Sequence, residues 1–161
     1  MITPELLKEF FYYNKDTGIF TRIKRSGSSK KGDIANKINC IGYVYISFLN
    51  KKHLAHRLAW LYEYGYYPDY EIDHIDGNPL NNKIINLRKA NSGENKQNIK
   101  RSSKNNKLGV LGVCFIKSRN KFLAQIMINY KQKFIGYFNT QEEAYNAYVE
   151  EKRKLHPFGE L

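Results

Sequence analysis

The stretch from Asn95 to Gln141 carries ten lysines and arginines and no aspartate or glutamate. A run of one charge is usually a solvated tail, but this run also contains apolar segments with the alternation of β-strands. It therefore predicts a folded sheet with a basic surface. Acidic residues return at Glu142 and Glu143, at the start of a predicted helix. If that helix covers one face of the sheet, the other face is left for a polyanion.

The same region predicts three strands followed by a helix. The strands are expected where apolar residues cluster between polar, basic turns: Val110–Ile116, Phe122–Ile128 and Phe134–Phe138. Thr140 and Glu143 have the spacing of a capping box, with Thr140 as the N-cap. They predict a helix that runs to about Lys154.

The composition excludes a wholly disordered chain, because 42% of its 161 residues are hydrophobic and 14% are aromatic. Its 27 Lys and Arg against 15 Asp and Glu give a net charge of +12, which favours nucleic acid first and an anionic membrane second. Composition alone does not choose between these two partners. Two cysteines, Cys40 and Cys114, exclude a disulfide scaffold and a CxxC zinc module.

The sequence has no apolar run of about 18 residues, so no transmembrane helix is predicted. The first residues, Met1–Glu5, lack the charged and apolar regions of a secretory signal. We therefore expect an intracellular protein without a membrane partner.

The first 70 residues predict a small α+β region. Thr3 as N-cap and Pro4 at the first helical position predict an N-terminal helix. A second helix is expected over Leu54–Tyr64, ended by Gly65. Two extended segments between these helices are predicted strands: Ile19–Ile23 and Gly42–Phe48.

The segment Glu71–Asn98 is rich in Asn, Asp and His and suits the hydrolysis of a phosphodiester. Asp73 and His74 are neighbours on a short predicted strand, so their side chains point to opposite faces. One of them can bind a metal while the other activates a water. Asn86, on the returning strand, could orient the imidazole by a hydrogen bond. Asn95, in the first turn of a predicted helix, could return to the metal beside Asp73.

This string resembles the HNH nuclease motif of phage-type homing endonucleases, whose fold is the ββα-metal finger. The resemblance rests on Asp-His-x-Asp-Gly-Asn, then Asn-Leu-Arg, then Glu-Asn-x-x-Asn, in this order and at compatible spacing. It implies that His74 is the general base and that Asp73 and Asn95 are the metal ligands. It also implies that Asn86 orients the base. Arg57, in the preceding His-Arg-Leu segment, and Arg88, in Asn-Leu-Arg, are predicted DNA contacts.

The third letter of this motif is Asn95 rather than His, which bears on the metal. One carboxylate and one amide oxygen are hard ligands, so Mg²⁺ is predicted, with Mn²⁺ as the other possibility, rather than tightly held Zn²⁺. No organic cofactor is expected. A single metal favours the cutting of one strand per active site.

The same residues allow other interpretations. Asp76–Pro79 is most simply a structural turn. A calcium loop does not fit, because Gly77 at its sixth position would put Ile72 at the first and Lys83 at the twelfth. His53 and His56 could be zinc ligands, but no partner cysteine is near them, so surface or core roles are favoured. His56 has no predicted mechanism.

The third region resembles the Apetala-type DNA-binding domain, a family of three antiparallel strands packed on one helix. The resemblance rests on Gly112-Val113, on Lys121–Ile126 and on Ile135–Ala144. It implies that the sheet lies in the major groove of DNA. The implied contacts are basic or amide side chains on its strands and turns: Lys117, Arg119, Lys121, Gln125, Lys131 and Lys133. Phe122 replaces the usual Trp and strand arginines are sparse, so backbone binding is expected more than base reading.

Four segments are predicted: an α+β lead-in at 1–50, the HNH motif at 51–100, a basic linker at 101–108 and the Apetala-type domain at 109–156. The predicted fold class is α+β, with a ββα-metal finger and a C-terminal three-stranded sheet on one helix. We expect a metal-dependent DNA endonuclease that nicks or cleaves duplex DNA at a preferred site. It would act as a monomer or a dimer, in the bacterial cytoplasm if a phage encodes it. The alternatives are a non-catalytic DNA-binding regulator and an RNA-binding or ribosome-associated protein.

Overall fold

The computed structural model describes residues 2–99, 102–103, 105–128 and 130–159. They fall into two compact units, which divide between Asn91 and Ser92. Among the described residues, no helix is long and apolar enough to cross a membrane. The predicted linker 101–108 lies partly outside the described residues, and the four-segment division stays a prediction.

The first unit opens with a helix and a hairpin. Helix α1 (Pro4–Phe10) begins at Thr3, whose hydroxyl accepts the Leu6 N–H at 3.2 Å, as predicted from the Thr-Pro pair. Strand β1 (Phe11–Asn14) follows directly and pairs antiparallel with β2 (Ile19–Arg22). The sequence predicted β2 but not β1, because no turn residue separates β1 from the helix before it.

A three-stranded antiparallel sheet comes next, in the order β3 (Lys37–Ile38), β4 (Val44–Phe48) and β5 (Lys51–Leu54). Helix α2 (Ala55–Tyr64) starts where β5 ends and stops at Gly65, which has a φ of 79°. This left-handed conformation is the C-terminal signal that the sequence predicted.

The strand that carries the Asp-His pair belongs to a separate two-stranded sheet. Strand β6 (Glu71–His74) pairs antiparallel with β7 (Leu87–Ala90), with Asp73 opposite Arg88 and His74 opposite Leu87. A 3₁₀ turn at Ile84–Asn86 leads into β7. Ile72 and Leu87 are buried in the main core of the unit, which fixes both strands to it.

The core of the first unit is aromatic and aliphatic and includes side chains from α1, both hairpin strands, β4 and α2. Its fully buried members include Leu7, Phe11, Phe20, Ile46, Leu58 and Leu61. Each such side chain contributes about 1.5–3 kcal/mol relative to an exposed one. The hairpin therefore belongs to the same packed body as the Asp-His strand.

The second unit contains α3 (Ser92–Gln97) and a sheet covered by a helix. Strands β8 (Val113–Ile116), β9 (Lys121–Ile128) and β10 (Lys131–Phe138) are antiparallel, with β9 in the centre. Helix α4 (Gln141–Leu155) starts with the predicted capping box.

Helix α4 packs on the sheet through small and aromatic side chains. Its buried Ala144 and Tyr148 belong to one core with Val113, Ala124 and Ile126. A Cβ added at Gly112 would lie 2.1 Å from the Tyr148 ring, so only glycine fits there. The predicted fold class, α+β with a sheet packed on one helix, is confirmed.

Candidate active site

Asp73 and His74 end strand β6, and both are buried, at 6% and 5% exposure. Neighbouring side chains on a strand point to opposite faces, so both faces of β6 are covered here. The pair thus lies in a setting from which bulk water is largely excluded, and its hydrogen-bond partners decide what it can do.

The His74 ring is hydrogen-bonded to Asn82, with 3.1 Å between Nε2 and Oδ1. The Asn82 amide nitrogen donates to the Leu80 carbonyl at 3.2 Å, which assigns Oδ1 as the acceptor on the other side of the amide. His74 Nε2 therefore carries the proton. In the neutral ring Nδ1 is then the nitrogen with a lone pair, which is the form a general base needs.

The pKa of His74 is lowered from its ordinary value. Burial is the main cause, and it outweighs the hydrogen bond to Asn82 and the charges of Asp76 and Asp73, which raise the pKa. His74 is accordingly neutral at pH 7.

The Asn86 amide bonds to the loop that follows His74, whereas the sequence predicted a hydrogen bond to the His74 ring. Its Nδ2 donates to Asp76 Oδ1 at 3.0 Å and to the Asn81 carbonyl at 2.8 Å, and its Oδ1 accepts the Asp76 N–H at 3.0 Å. Its backbone carbonyl accepts the Ile75 N–H at 2.9 Å. Because Asn86 lies in the 3₁₀ turn, its amide reaches the loop after His74 instead of the ring, and it fixes that loop.

The loop itself is closed by Asp76. Its carboxylate accepts from the Asn78 backbone N–H at 2.8 Å and from the Asn81 amide at 2.7 Å. Burial would raise the pKa of Asp76, but these bonds and the one from Asn86 outweigh it and lower the pKa. The segment is a hydrogen-bonded turn, in agreement with the simplest interpretation of its sequence.

Asp73, the predicted metal ligand, is paired with Arg88 on the opposite strand. Arg88 Nε and Nη2 each lie 3.0 Å from Asp73 Oδ2, and the Asp73 side chain is only 7% exposed. Such a charge-assisted pair compensates for the burial of the carboxylate. Arg88 was predicted as a DNA contact, and in the structure it is ion-paired with Asp73.

A second buried histidine lies against His74. The His56 and His74 ring centroids are 5.0 Å apart at an interplanar angle of 80°, and the Tyr43 ring contacts both. His56 Nδ1 is buried and has no hydrogen-bond partner in the part of the chain that the structure describes. Burial, and then the charges of His74 and Arg57, lower the pKa of His56 to about 3. His53, its alternative zinc partner, instead contacts the Phe48 carbonyl at 3.2 Å.

Residues 53–97 match the family model described as HNH endonuclease. An HNH endonuclease domain is present at these residues. The chain is also similar to Protein 3.8 of Escherichia phage T7, with 43% identity over 68 residues, which are 42% of this chain and 52% of that protein. The chain thus spans about half the length of this curated relative. No solved structure gives a significant match.

The HNH domain begins at the end of β5 and runs through α2, β6, β7 and α3, so the unit division between Asn91 and Ser92 falls inside it. Asn95 lies on α3, in the second unit. The pairing of Asp73 with Asn95 at one metal stays a prediction. Among the described residues, no group of three or more His, Cys, Asp or Glu could hold a metal.

Arg57 of the HNH domain forms hydrogen bonds to two backbone carbonyls of the loop after α2. Its guanidinium donates to the Tyr70 carbonyl at 2.9 Å and also to the Pro68 carbonyl, and it lies 5.0 Å from the Tyr67 ring centroid. These bonds fix the loop that joins α2 to β6. The contact of Arg57 with DNA stays a prediction.

The predicted DNA contacts of the second unit lie on two sides of its sheet. Lys121 and Gln125 alternate with the buried Ala124 and Ile126 on β9, so they face away from α4. Lys133 is opposite Ile126 in the register and forms an ion pair with Glu151 of α4.

Three further predicted contacts lie at the edges of this sheet. Lys131 is opposite Ile128 and therefore on the α4 side with Lys133. Lys117 and Arg119 lie in the turn between β8 and β9, where the Arg119 guanidinium is 4.8 Å from the Tyr137 ring centroid. The Apetala-type resemblance of this sheet and helix stays a prediction, since the HNH match ends at residue 97, before β8 begins.

Proposed function

We propose that this chain is a metal-dependent HNH DNA endonuclease of the homing or phage type. It hydrolyses phosphodiester bonds in duplex DNA, nicking or cleaving at a preferred site. The HNH match at 53–97 supports the reaction class, and the similarity to a phage protein supports action in a bacterial host cell. The geometry around His74 carries the proposal.

His74 is the general base. Its ring is neutral, its proton is held on Nε2 by Asn82, and its Nδ1 lone pair takes a proton from the attacking water. The hydroxide then attacks phosphorus in line with the 3′ oxygen, which leaves. Asn86 supports this step indirectly, since it fixes the loop that follows His74 and contains Asn82.

The residues present fit a hard divalent cation. Asp73 offers a carboxylate at the end of β6, and Asn95 offers an amide oxygen, which is the donor chemistry that Mg²⁺ and Mn²⁺ prefer. A bound ion would balance the charge that develops on the phosphate and on the leaving oxygen. Arg88 holds the Asp73 carboxylate in place through their ion pair.

The second unit holds the DNA. Lys121 and Gln125 face away from α4, and Lys117 and Arg119 lie in the adjoining turn. A surface of this sign binds the phosphate backbone, with little sequence information in the contact.

The test is the conversion of a supercoiled plasmid to the nicked or linear form in Mg²⁺. His74→Ala should reduce the rate by about 10²- to 10⁴-fold, since it removes the general base. His53→Ala is the matched control, because His53 lies in the same unit and its ring contacts the Phe48 carbonyl at the end of β4. EDTA should abolish cutting by the wild type. Cutting by His74→Ala at the wild-type rate would refute the assigned base.

The Asp73–Arg88 ion pair favours one alternative, a DNA-binding regulator whose HNH domain is only a scaffold. A carboxylate that is already neutralised needs no metal for its stability. This alternative predicts tight binding of duplex DNA without nicking in Mg²⁺, Mn²⁺ or Ni²⁺. Nicking that depends on His74 would exclude it.

A further inference from the structure

We propose that the N-terminal hairpin β1–β2 is part of the active site, because it holds Asn82, a positioning residue that keeps the proton of His74 on Nε2. The inference rests on the proposed function of His74. It assigns a role in the reaction to residues 11–22, which precede the HNH match at 53–97.

The hairpin contacts the segment 82–84 at three places. The Tyr13 hydroxyl donates to the Asn82 carbonyl at 2.6 Å, across 69 residues of chain, and the Ile84 N–H donates to the Lys15 carbonyl at 3.2 Å. At the hairpin turn, a Cβ on Gly18 would lie 2.5 Å from the Asn82 carbonyl carbon. The backbones of the turn and of Asn82 are thus in direct contact, which a side chain at Gly18 would prevent.

Tyr13 is itself rigidly held. It is 3% exposed, and its ring lies 4.6 Å from Phe20 and 5.7 Å from Tyr62, measured between centroids. Burial raises the pKa of the Tyr13 hydroxyl, so it remains a donor at all ordinary pH values. The hydrogen bond to Asn82 therefore comes from a fixed point in the core.

Asn82 has one amide orientation that satisfies its neighbours. It is 1% exposed, its Nδ2 donates to the Leu80 carbonyl, and its Oδ1 accepts from His74 Nε2. A flipped amide would set an N–H against the His74 ring and a carbonyl oxygen against the Leu80 carbonyl. A buried mismatch of this kind is unfavourable, so Asn82 selects one tautomer of His74.

Two substitutions at Asn82 separate this role from simple packing. Asn82→Leu and Asn82→Asp both lose the N–H that donates to Leu80, but Asn82→Asp keeps an oxygen that accepts from His74 Nε2. We expect Asn82→Leu to lower kcat by about 10²-fold, the low end of what a general base contributes, with the affinity for DNA unchanged. Asn82→Asp should recover at least tenfold of that loss. Equal kcat values for the two variants, or a wild-type rate for Asn82→Leu, would overturn the proposal.

The hairpin is tested at Tyr13. Tyr13→Phe removes only the hydroxyl and should lower kcat about tenfold, while Tyr62→Phe, in the same aromatic cluster, should leave it unchanged. An equal effect of both substitutions on kcat would overturn the role of the hairpin.

A spectroscopic measurement keeps this test independent of cutting. In full-length protein labelled with ¹⁵N-histidine, the His74 ring signals, assigned by their loss in His74→Ala, should show the proton on Nε2 in the wild type and a mixture of tautomers in Asn82→Leu. If the chain cuts no DNA but the tautomer changes as stated, only the proposed function fails. An Nδ1-protonated ring in the wild type would overturn the inference itself.

Discussion

A histidine in a protein core lowers the stability of the fold when one of its ring nitrogens makes no hydrogen bond. His56 is 5% exposed, and its Nδ1 has no hydrogen-bond partner within the described ranges of the chain. A buried, unsatisfied polar atom costs about 1–3 kcal/mol, a cost that an apolar ring would not carry. Burial also keeps His56 neutral to about pH 3, whereas in the unfolded chain it titrates near its ordinary value.

Replacing His56 by Phe should therefore make the first unit less sensitive to acid. A lowered folded-state pKa means that stability is fully present above the unfolded pKa, near 6.5, and is lost as the pH falls towards 3. The loss from one such group approaches about 1.4 kcal/mol per pH unit below 6.5. The His56→Phe variant should have a smaller difference in the free energy of unfolding between pH 7.5 and pH 5.

Urea denaturation followed by the fluorescence of Trp60 measures this effect, because Trp60 is the only tryptophan and lies in the core of the first unit. His156→Phe is the control, since His156 lies in the second unit and should not change the Trp60 transition. The same pH dependence in His56→Phe and in the wild type would contradict the prediction.

Elements that carry their own start and stop signals could be predicted from the sequence, and elements without them could not. Helices α1, α2 and α4 follow from Thr3, Gly65 and the Thr140–Glu143 capping box, all of which the structure contains. Strands β1 and β5 adjoin helices directly, so no turn residue marks them. A local pattern cannot place a boundary that only tertiary pairing creates.

The site divides in the same way. Asp73 and His74 could be placed at the end of a strand, because their motif and the apolar residues around them are local. Asn82 could not be singled out, since it lies among several asparagines in an aperiodic loop, and its direction is set by Tyr13, 69 residues away. For the same reason the sequence pointed to Asn86 as the ring partner, whereas the Asn86 amide bonds to the loop after His74.

The packing of the β1–β2 turn can be tested by comparing Gly18, which lies in this turn, with Gly27, which lies in the loop after β2. Gly18 and Gly27 both have a positive φ, 73° and 58°, but an added Cβ meets the Asn82 backbone only at Gly18 and nothing within 4 Å at Gly27. Gly27→Ala should therefore show only the cost of the left-handed conformation, about 1 kcal/mol. Gly18→Ala should lose clearly more stability and also lower kcat. Equal losses of stability, measured by the Trp60 transition, would contradict close packing of this turn on Asn82.

If the chain binds DNA as proposed, its net charge of +12 predicts that electrostatic attraction supplies most of the affinity. With about six to ten phosphate contacts, the affinity should fall by about 10³- to 10⁵-fold between 50 and 200 mM salt. The contribution of each lysine to the affinity for DNA then depends on its position, since a lysine that is already paired with a carboxylate contributes less.

Two lysines of the same sheet test this statement. Lys121→Ala should weaken the binding of duplex DNA and reduce the slope of log affinity against log salt by about one, because Lys121 faces away from α4. Lys133→Ala should change both much less, because Lys133 is paired with Glu151. Fluorescence anisotropy with a labelled duplex at several salt concentrations measures both quantities. A larger effect of Lys133→Ala would show that the α4 side meets the DNA.

The contact between the hairpin and Asn82 has a consequence for the transfer of the HNH domain into another protein. A fragment that starts at His53 would contain the whole motif but not Tyr13 and Gly18, the hairpin residues that contact Asn82. The segment to transfer therefore runs from α1 to β7 and also includes the residues that carry Asn95. A fusion designed on the motif alone would lack the contacts that fix the orientation of the His74 ring.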